Sequence, residues 1–175
     1  MGYRQKMGNN CINNTMNITF RNIEENDNKE IAELIRTVFR EFKIDRPGTV
    51  YFDPNTDNLF KLFQTPGSIY WIAEENGKMI GGCGIFSTPG LPEGFAELVK
   101  LYLLPQWRGK GIGWMLMERC FDSAKSLGYK QLYLESLPEL DKAVSMYTKA
   151  GFRHIKHALG NSGHFGCNIW MIKDL

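Results

Sequence analysis

From Asn17 onward the chain switches repeatedly between two hydrophobic rhythms. In NITFRNI (17–23) Ile18 and Phe20 alternate with polar neighbours and predict a first strand. In DNKEIAELIRTVFREF (27–42), Ile31, Leu34, Ile35, Val38, Phe39 and Phe42 recur at helical spacing, and Asp27 with Glu30 offers a capping box at the helix start. Lys43 to Gln64, broken by Pro47, Gly48 and Pro54, reads as a loop leading into a short helix around Asn58 to Phe63, and loops of this length often hold ligands. IYWIAEENGKMIGGCGIF is two apolar strands joined at Asn76-Gly77, a pair suited to the positive φ angles of a tight hairpin turn. FAELVKLYLL predicts a further strand, ending at Pro105.

A helix from about Gly111 to Leu127 places Ile112, Met115, Leu116, Cys120, Ala124 and Leu127 on one face, and Gly128 stops it. YKQLYLES (129–136) predicts a strand and PELDKAVSMYTKA (138–150) a helix, opened by Ser136 and Glu139 and closed by Gly151. FRHIKHA and FGCNIWMIK supply the last strands. The order β-α-α-β-β-β-α-β-α-β-β contains a strand-helix-strand unit in a hairpin-rich chain, so a mixed α/β layer is expected.

Composition narrows the function classes. A length of 175 residues with 43% apolar and 23% charged residues fits one globular domain. Residues 1–15, rich in Asn and Gly and without periodicity, read as a disordered extension before a domain over 16–175. With a net charge of +2 and its basic residues scattered among acids, the chain lacks the stripe of a nucleic-acid binder. The four cysteines, at 11, 83, 120 and 167, show no CxxC spacing and suit a reducing cytoplasm better than a disulfide framework or a zinc ribbon. No run of eighteen apolar residues exists, and the N-terminal residues lack a signal-peptide core. The expectation is a cytoplasmic protein with no membrane partner.

The most informative stretch is QWRGKGIGWM (106–115), where Gly109, Gly111 and Gly113 lie between a strand and a helix. Unpaired amides at a helix N-terminus, with no side chains in the way, form a phosphate cradle. A dinucleotide fingerprint would need glycine at Trp114 or Leu116, and a P-loop would need glycine at Leu104 and Ser or Thr at Gly111, so both fail. Arg108-x-x-Gly111-x-Gly113 resembles the acetyl-CoA signature of the GNAT superfamily of N-acetyltransferases; Gln106-x-x-Gly109-x-Gly111 fits two residues earlier, but the flanks favour Arg108 as the first position. AVSMYTKAGF (143–152) resembles the element that closes the second cofactor helix of that family.

The resemblance implies an α/β GNAT fold: a central, mixed but mostly antiparallel twisted sheet of six to seven strands, about four flanking helices, and a cofactor in a splay between the two central strands. It implies acetyl-CoA as co-substrate and a primary amine acceptor, expected to be a small molecule; no metal is expected, and a homodimer is allowed. Protein or peptide acetylation and a non-catalytic CoA-binding sensor are the alternatives. In the implied site, the amides of Arg108, Gly109, Lys110, Gly111, Ile112 and Gly113 hold the pyrophosphate, Arg108 and Lys110 add charge, and Trp114 also lies on the cofactor side. Leu101, Tyr102 and Leu103 meet the pantetheine arm and supply an oxyanion amide, and Ala143 and Tyr147 complete the cofactor side.

An alkyl ammonium has a pKa of about 10, so a base must take its proton before attack. Glu97 stands where some members of the family carry a catalytic glutamate; a solvated carboxylate, or one paired with Lys100, is the competing reading. Tyr147 resembles the general acid of the family, against simple packing with Leu140, Ala143 and Val144. Leu140 departs from the family, many members of which carry Asn there. His154, His157, His164 and Cys167 lack the geometry of a zinc set. GNSGHFGC (160–167) reads as a substrate loop, and Tyr51, Phe52, Tyr70 and Trp71, with Asp53 or Asp57, are candidate walls of an acceptor pocket, Tyr70 and Trp71 equally being candidates for the core.

Overall fold

The structure, a computed structural model, describes residues 17–175; the expected 1–15 extension lies outside the described residues. Its strands are β1 (Ile18–Asn22), β2 (Ile69–Glu75), β3 (Lys78–Phe86), β4 (Phe95–Leu103), β5 (Gln131–Ser136), β6 (Arg153–Ile155) and β7 (Ile169–Asp174). The helices are α1 (Asn28–Glu41), α2 (Leu59–Leu62), α3 (Ile112–Ser126) and α4 (Asp141–Lys149). One sheet of order β1-β2-β3-β4-β5-β7-β6 holds all seven strands, antiparallel except for the β4–β5 pair joined through α3. This is the expected mixed, mostly antiparallel sheet.

Two apolar cores lie against the sheet. Ile112, Leu116, Met117, Cys120 and Ala124 of α3 pack with Ile80, Cys83, Ile85 and Leu98, while Ile31, Leu34, Ile35, Val38 and Phe39 of α1 pack with Tyr70, Ile72 and Met79. The buried seam of α3 follows the i, i+4 row and leaves Met115 and Leu127 exposed at its edges, contrary to the sequence expectation. The capping box before α1 is also one turn earlier than expected, formed by Glu24 and Asp27 around the 3₁₀ turn Glu25–Asp27. Asp27 is committed there because it also takes both terminal nitrogens of Arg21, at 2.6 and 2.8 Å. Likewise α4 starts without a side-chain cap: a 3₁₀ turn at Pro138–Leu140 precedes it, and Ser136 is buried in β5.

Two irregularities shape the centre of the sheet. β4 carries a bulge, since Gly82 faces Tyr102 and Gly84 faces Val99, leaving one residue on β3 against two on β4. Lys100 sits in the bulge at φ 51°. The bulge reverses the face assignment downstream: Ala96 and Leu98 join the α3 core before it, and Leu101 and Leu103 join the same core after it. β4 also parts from β5, because their pairing covers only Phe95–Gln131, Ala96–Leu132 and Glu97–Tyr133. Beyond Glu97 the β5 side of β4 is open.

Gly81 lets the end of β4 close onto β3. A Cβ there would lie 2.3 Å from the Tyr102 carbonyl oxygen and 3.1 Å from Leu103 Cα, both backbone atoms. Gly81→Ala is expected to destabilise the fold by about 1–3 kcal/mol, read as a lower urea midpoint with unchanged m-value.

Candidate active site

The parting of β4 from β5 opens a cavity of about 810 Å³. One end is the turn from Pro105 into α3. Gly109 and Gly111 adopt φ 72° and 82°, and nothing lies within 4 Å of where their side chains would begin. Among the described residues, the amide N–H groups of Gly109 through Trp114 donate to no protein acceptor. They form a bare nest of donors at the positive end of a fifteen-residue helix.

The predicted residues are distributed unequally around this nest. Leu101, Tyr102, Leu103, Arg108, Gly109, Gly111, Gly113, Trp114, Ala143 and Tyr147 all line the cavity. The Ile112 side chain turns into the core, which leaves only its amide for the turn. Lys110 does not line the cavity; its Nζ sits 4.4 Å from the Trp107 ring centre. Arg108 spends three of its five N–H donors on the protein, two on Glu41 at 2.8 Å and one on the Leu103 carbonyl at 2.9 Å. Its charge is therefore shared with Glu41, and it braces the end of β4 against α1.

The strand edge supplies further donors. Leu104 N–H donates to Ile80 on the β3 side, so alternation along β4 turns the Leu103 and Leu101 amides toward the gap. Tyr147, on α4, is 8% exposed, its ring 5.9 Å from that of Phe152, and its hydroxyl meets no hydrogen-bond partner among the described residues. Burial raises the phenol well above its ordinary pKa, so it stays protonated. Leu140 puts an apolar side chain on the cavity wall.

Glu97 lies where β4 leaves β5, only 4% exposed yet lining the cavity. Burial lifts its carboxyl to about 7; the Thr88 hydroxyl bonded to Oε2 opposes that rise, while nearby Glu135 adds to it. It is not paired with Lys100. The Lys100 ammonium, carried inward by the bulge, binds Asp53 at 2.9 Å, and His164 Nε2 approaches the same Asp53 oxygen at 3.3 Å. Burial alone would raise the Asp53 carboxyl, but His164 and Lys100 hold it well below the ordinary range.

The far end of the cavity departs in its walls from those expected of an acceptor pocket. Asp53 does not line the cavity but pairs with Lys100 and His164, which do, whereas Asp57 pairs with Arg36 at the surface. Tyr70 is core, its hydroxyl donating to the Lys100 carbonyl at 2.9 Å, and Trp71 packs toward α3 and donates to Ser123. Tyr51 and Phe52 meet edge to face outside the cavity, with Phe52 58% exposed. The wall comes instead from the 159–167 segment: Ser162 binds Glu135, His164 reaches Asp53, and Gly166 N–H donates to Gly48 at 2.8 Å. His154 and His157 are exposed, and the described residues contain no group of three metal-ligating side chains. Cys167 lines the cavity, but burial and the nearby carboxylates of Glu135 and Glu97 push its thiol up to about 12, which makes it a poor nucleophile. Glu135, Thr88 and the Lys100–Asp53 pair were not singled out in the sequence; the available signal was a charged residue inside each of two apolar strands, at Lys100 and Glu135.

Comparison with known proteins agrees with this geometry. The model of the Acetyltransferase (GNAT) family matches residues 29–152. The chain is 37% identical over 156 residues to the uncharacterized N-acetyltransferase YjgM of Escherichia coli strain K12, covering 89% of this chain and 93% of that protein. Among solved structures, a GNAT-family acetyltransferase from Staphylococcus aureus Mu50 superposes with a TM-score of 0.81 at 21% identity, covering 90% of this chain and 99% of that one. The PaiA N-acetyltransferase of Thermoplasma acidophilum, solved in complex with coenzyme A, superposes with a TM-score of 0.73 at 19% identity, covering 91% and 100%.

Proposed function

The chain belongs to the acetyltransferase (GNAT) family, and on that premise we propose that it transfers the acetyl group of acetyl-CoA to a primary amine of a small molecule by direct attack in a ternary complex. One observation carries the reading: a single cavity is lined by the bare-amide turn, the open edge of β4, the Tyr147 side chain and the buried Glu97. The turn fits a pyrophosphate because its donors are unspent and no Cβ fills the cradle at Gly109 or Gly111. Tethering of the 159–167 segment to Glu135, Asp53 and Gly48 encloses the acceptor end, which supports a small acceptor over a protein chain.

The ammonium nitrogen must lose two protons to become an amide nitrogen. Glu97 takes one, and the freed amine attacks the thioester carbon while a β4 amide at Leu101 or Leu103 meets the oxyanion. The C–S bond breaks, and Tyr147 donates to the departing sulfur. The second nitrogen proton restores the phenol. The net products are an N-acetyl amide, a free thiol and one proton delivered to solvent from Glu97.

Thiol release from acetyl-CoA, followed against a panel of monoamines, diamines, amino acids, aminoglycosides and peptides, is the direct test. Release that depends on a small primary amine is expected. Release with peptides alone overturns the small-molecule reading, and release with none leaves a CoA-binding module. At the cradle, Gly111→Val would strain a residue held at φ 82° and add a branched side chain beside the amides. We expect CoA affinity by calorimetry to fall about tenfold or more, with a stability cost of about 1–2 kcal/mol. Wild-type affinity in the folded variant would remove the turn from the site.

A further inference from the structure

The reaction as derived leaves Glu135, a cavity-lining carboxylate close to the proposed base, unused. Glu135 shares the sheet face of Tyr133, the cross-strand partner of Glu97, and so stands one pleat along from the proposed base. Its Oε1 accepts from the Tyr133 hydroxyl at 2.7 Å and its Oε2 from the Ser162 hydroxyl at 2.9 Å. Half of its lone-pair positions remain, and an ionised carboxylate can fill them only with donors. Glu97 points the same way independently: nine-tenths buried and more, it is bonded at Oε2 to Thr88, while Oε1 accepts nothing among the described residues.

No cation among the described residues forms an ion pair with either group, although Lys100 and His164 act on Glu97 from a distance. Lys100 is committed to Asp53 together with His164, Arg46 to Glu139, and Arg108 to Glu41. Lys142, exposed on the first turn of α4, lines the cavity but pairs with neither. The hydroxyls of Thr88, Tyr133 and Ser162 hold the carboxylates in place without cancelling their charge. We propose that Glu135 selects acceptors bearing a second cationic centre: the reacting ammonium enters at Glu97, and the second donates to Glu135. This rests on the acetyl-transfer reading above and specifies which amines reach that site. An acceptor carrying a carboxylate in the same place would meet like charge and be rejected.

The test uses three probes of one chain length, 1,4-diaminobutane, butylamine and 4-aminobutyrate. Each is measured by turnover at saturating acetyl-CoA and by calorimetric binding to the CoA-saturated protein. The diamine should be preferred over butylamine by about ten- to a hundredfold in KM and in affinity, the size of a charge-assisted hydrogen bond, with 4-aminobutyrate the poorest. Glu135→Gln should raise the diamine KM to that of butylamine at near wild-type melting temperature, and Glu135→Asp should recover part of the preference. Equal handling of the diamine and the monoamine by the wild type, a preference for 4-aminobutyrate, or discrimination that survives in folded Glu135→Gln overturns the proposal. If Glu135→Gln does not fold, the wild-type ranking decides. Failure to turn over any amine refutes the acetyl-transfer reading, while the binding ranking still decides the charge preference.

Discussion

Glu97→Gln is expected to lower turnover at neutral pH by about a hundredfold or more and to abolish the acidic limb of the pH–rate profile. The wild-type limb should fall below pH 7, because a carboxyl held at about 7 is increasingly protonated there and cannot accept the proton of an ammonium. Thr88, Glu135, His164 and Lys100 all act on this group, and the amide still offers an acceptor to the Thr88 hydroxyl, so packing is retained. Stability gives a second readout. A carboxyl whose folded pKa lies above its unfolded value stabilises the fold at low pH and loses that contribution as pH rises toward and through about 7. Unfolding free energy should therefore fall over that window in the wild type and fall less in Glu97→Gln. A limb that persists in the variant would transfer the role of base to another carboxylate or to water.

Tyr147→Phe should reduce turnover by roughly ten- to a few hundredfold, with CoA affinity and melting temperature close to wild type. The ring is buried against Phe152 and stays in place in the variant. The hydroxyl that is lost bonds nothing among the described residues, so its removal leaves no orphaned partner. A thiol has a pKa of about 8.5, and a neighbouring phenol that stays protonated can assist its departure as thiolate. Tyr147→Ala would add a cavity cost of about 3–5 kcal/mol, separable by its melting temperature. Full activity in Tyr147→Phe would make the residue a packing element only.

The sequence carried the elements and the glycine-turn end of the cavity because both are written in local patterns. Helical spacing marked α1, Asn76-Gly77 marked the β2–β3 turn, and three glycines between a strand and a helix marked the bare amides, since only residues without Cβ leave such a turn unobstructed. The place of Tyr147 on the cavity wall was legible from its position before Gly151-Phe152. The periodicity of α3 was legible too, but not which edge of the stripe is covered, because that depends on how the helix crosses the sheet.

The other end of the cavity was decided by contacts between distant residues. Alternation alone does not reveal the extra residue at Lys100 that reverses the faces of β4 and brings an ammonium to Asp53, forty-seven positions earlier. Nor does it show that Arg108 is shared with Glu41, or that Asp53 and not Asp57 reaches His164. Glu97 could be named from its position before the glycines, but its carboxyl rises to about 7 only because β3, β4 and β5 exclude water around it and set Glu135 nearby. Sequence spacing fixes which groups a single strand or helix presents; the desolvation and pairing that tune a group arise only when separate strands and loops close on the same space.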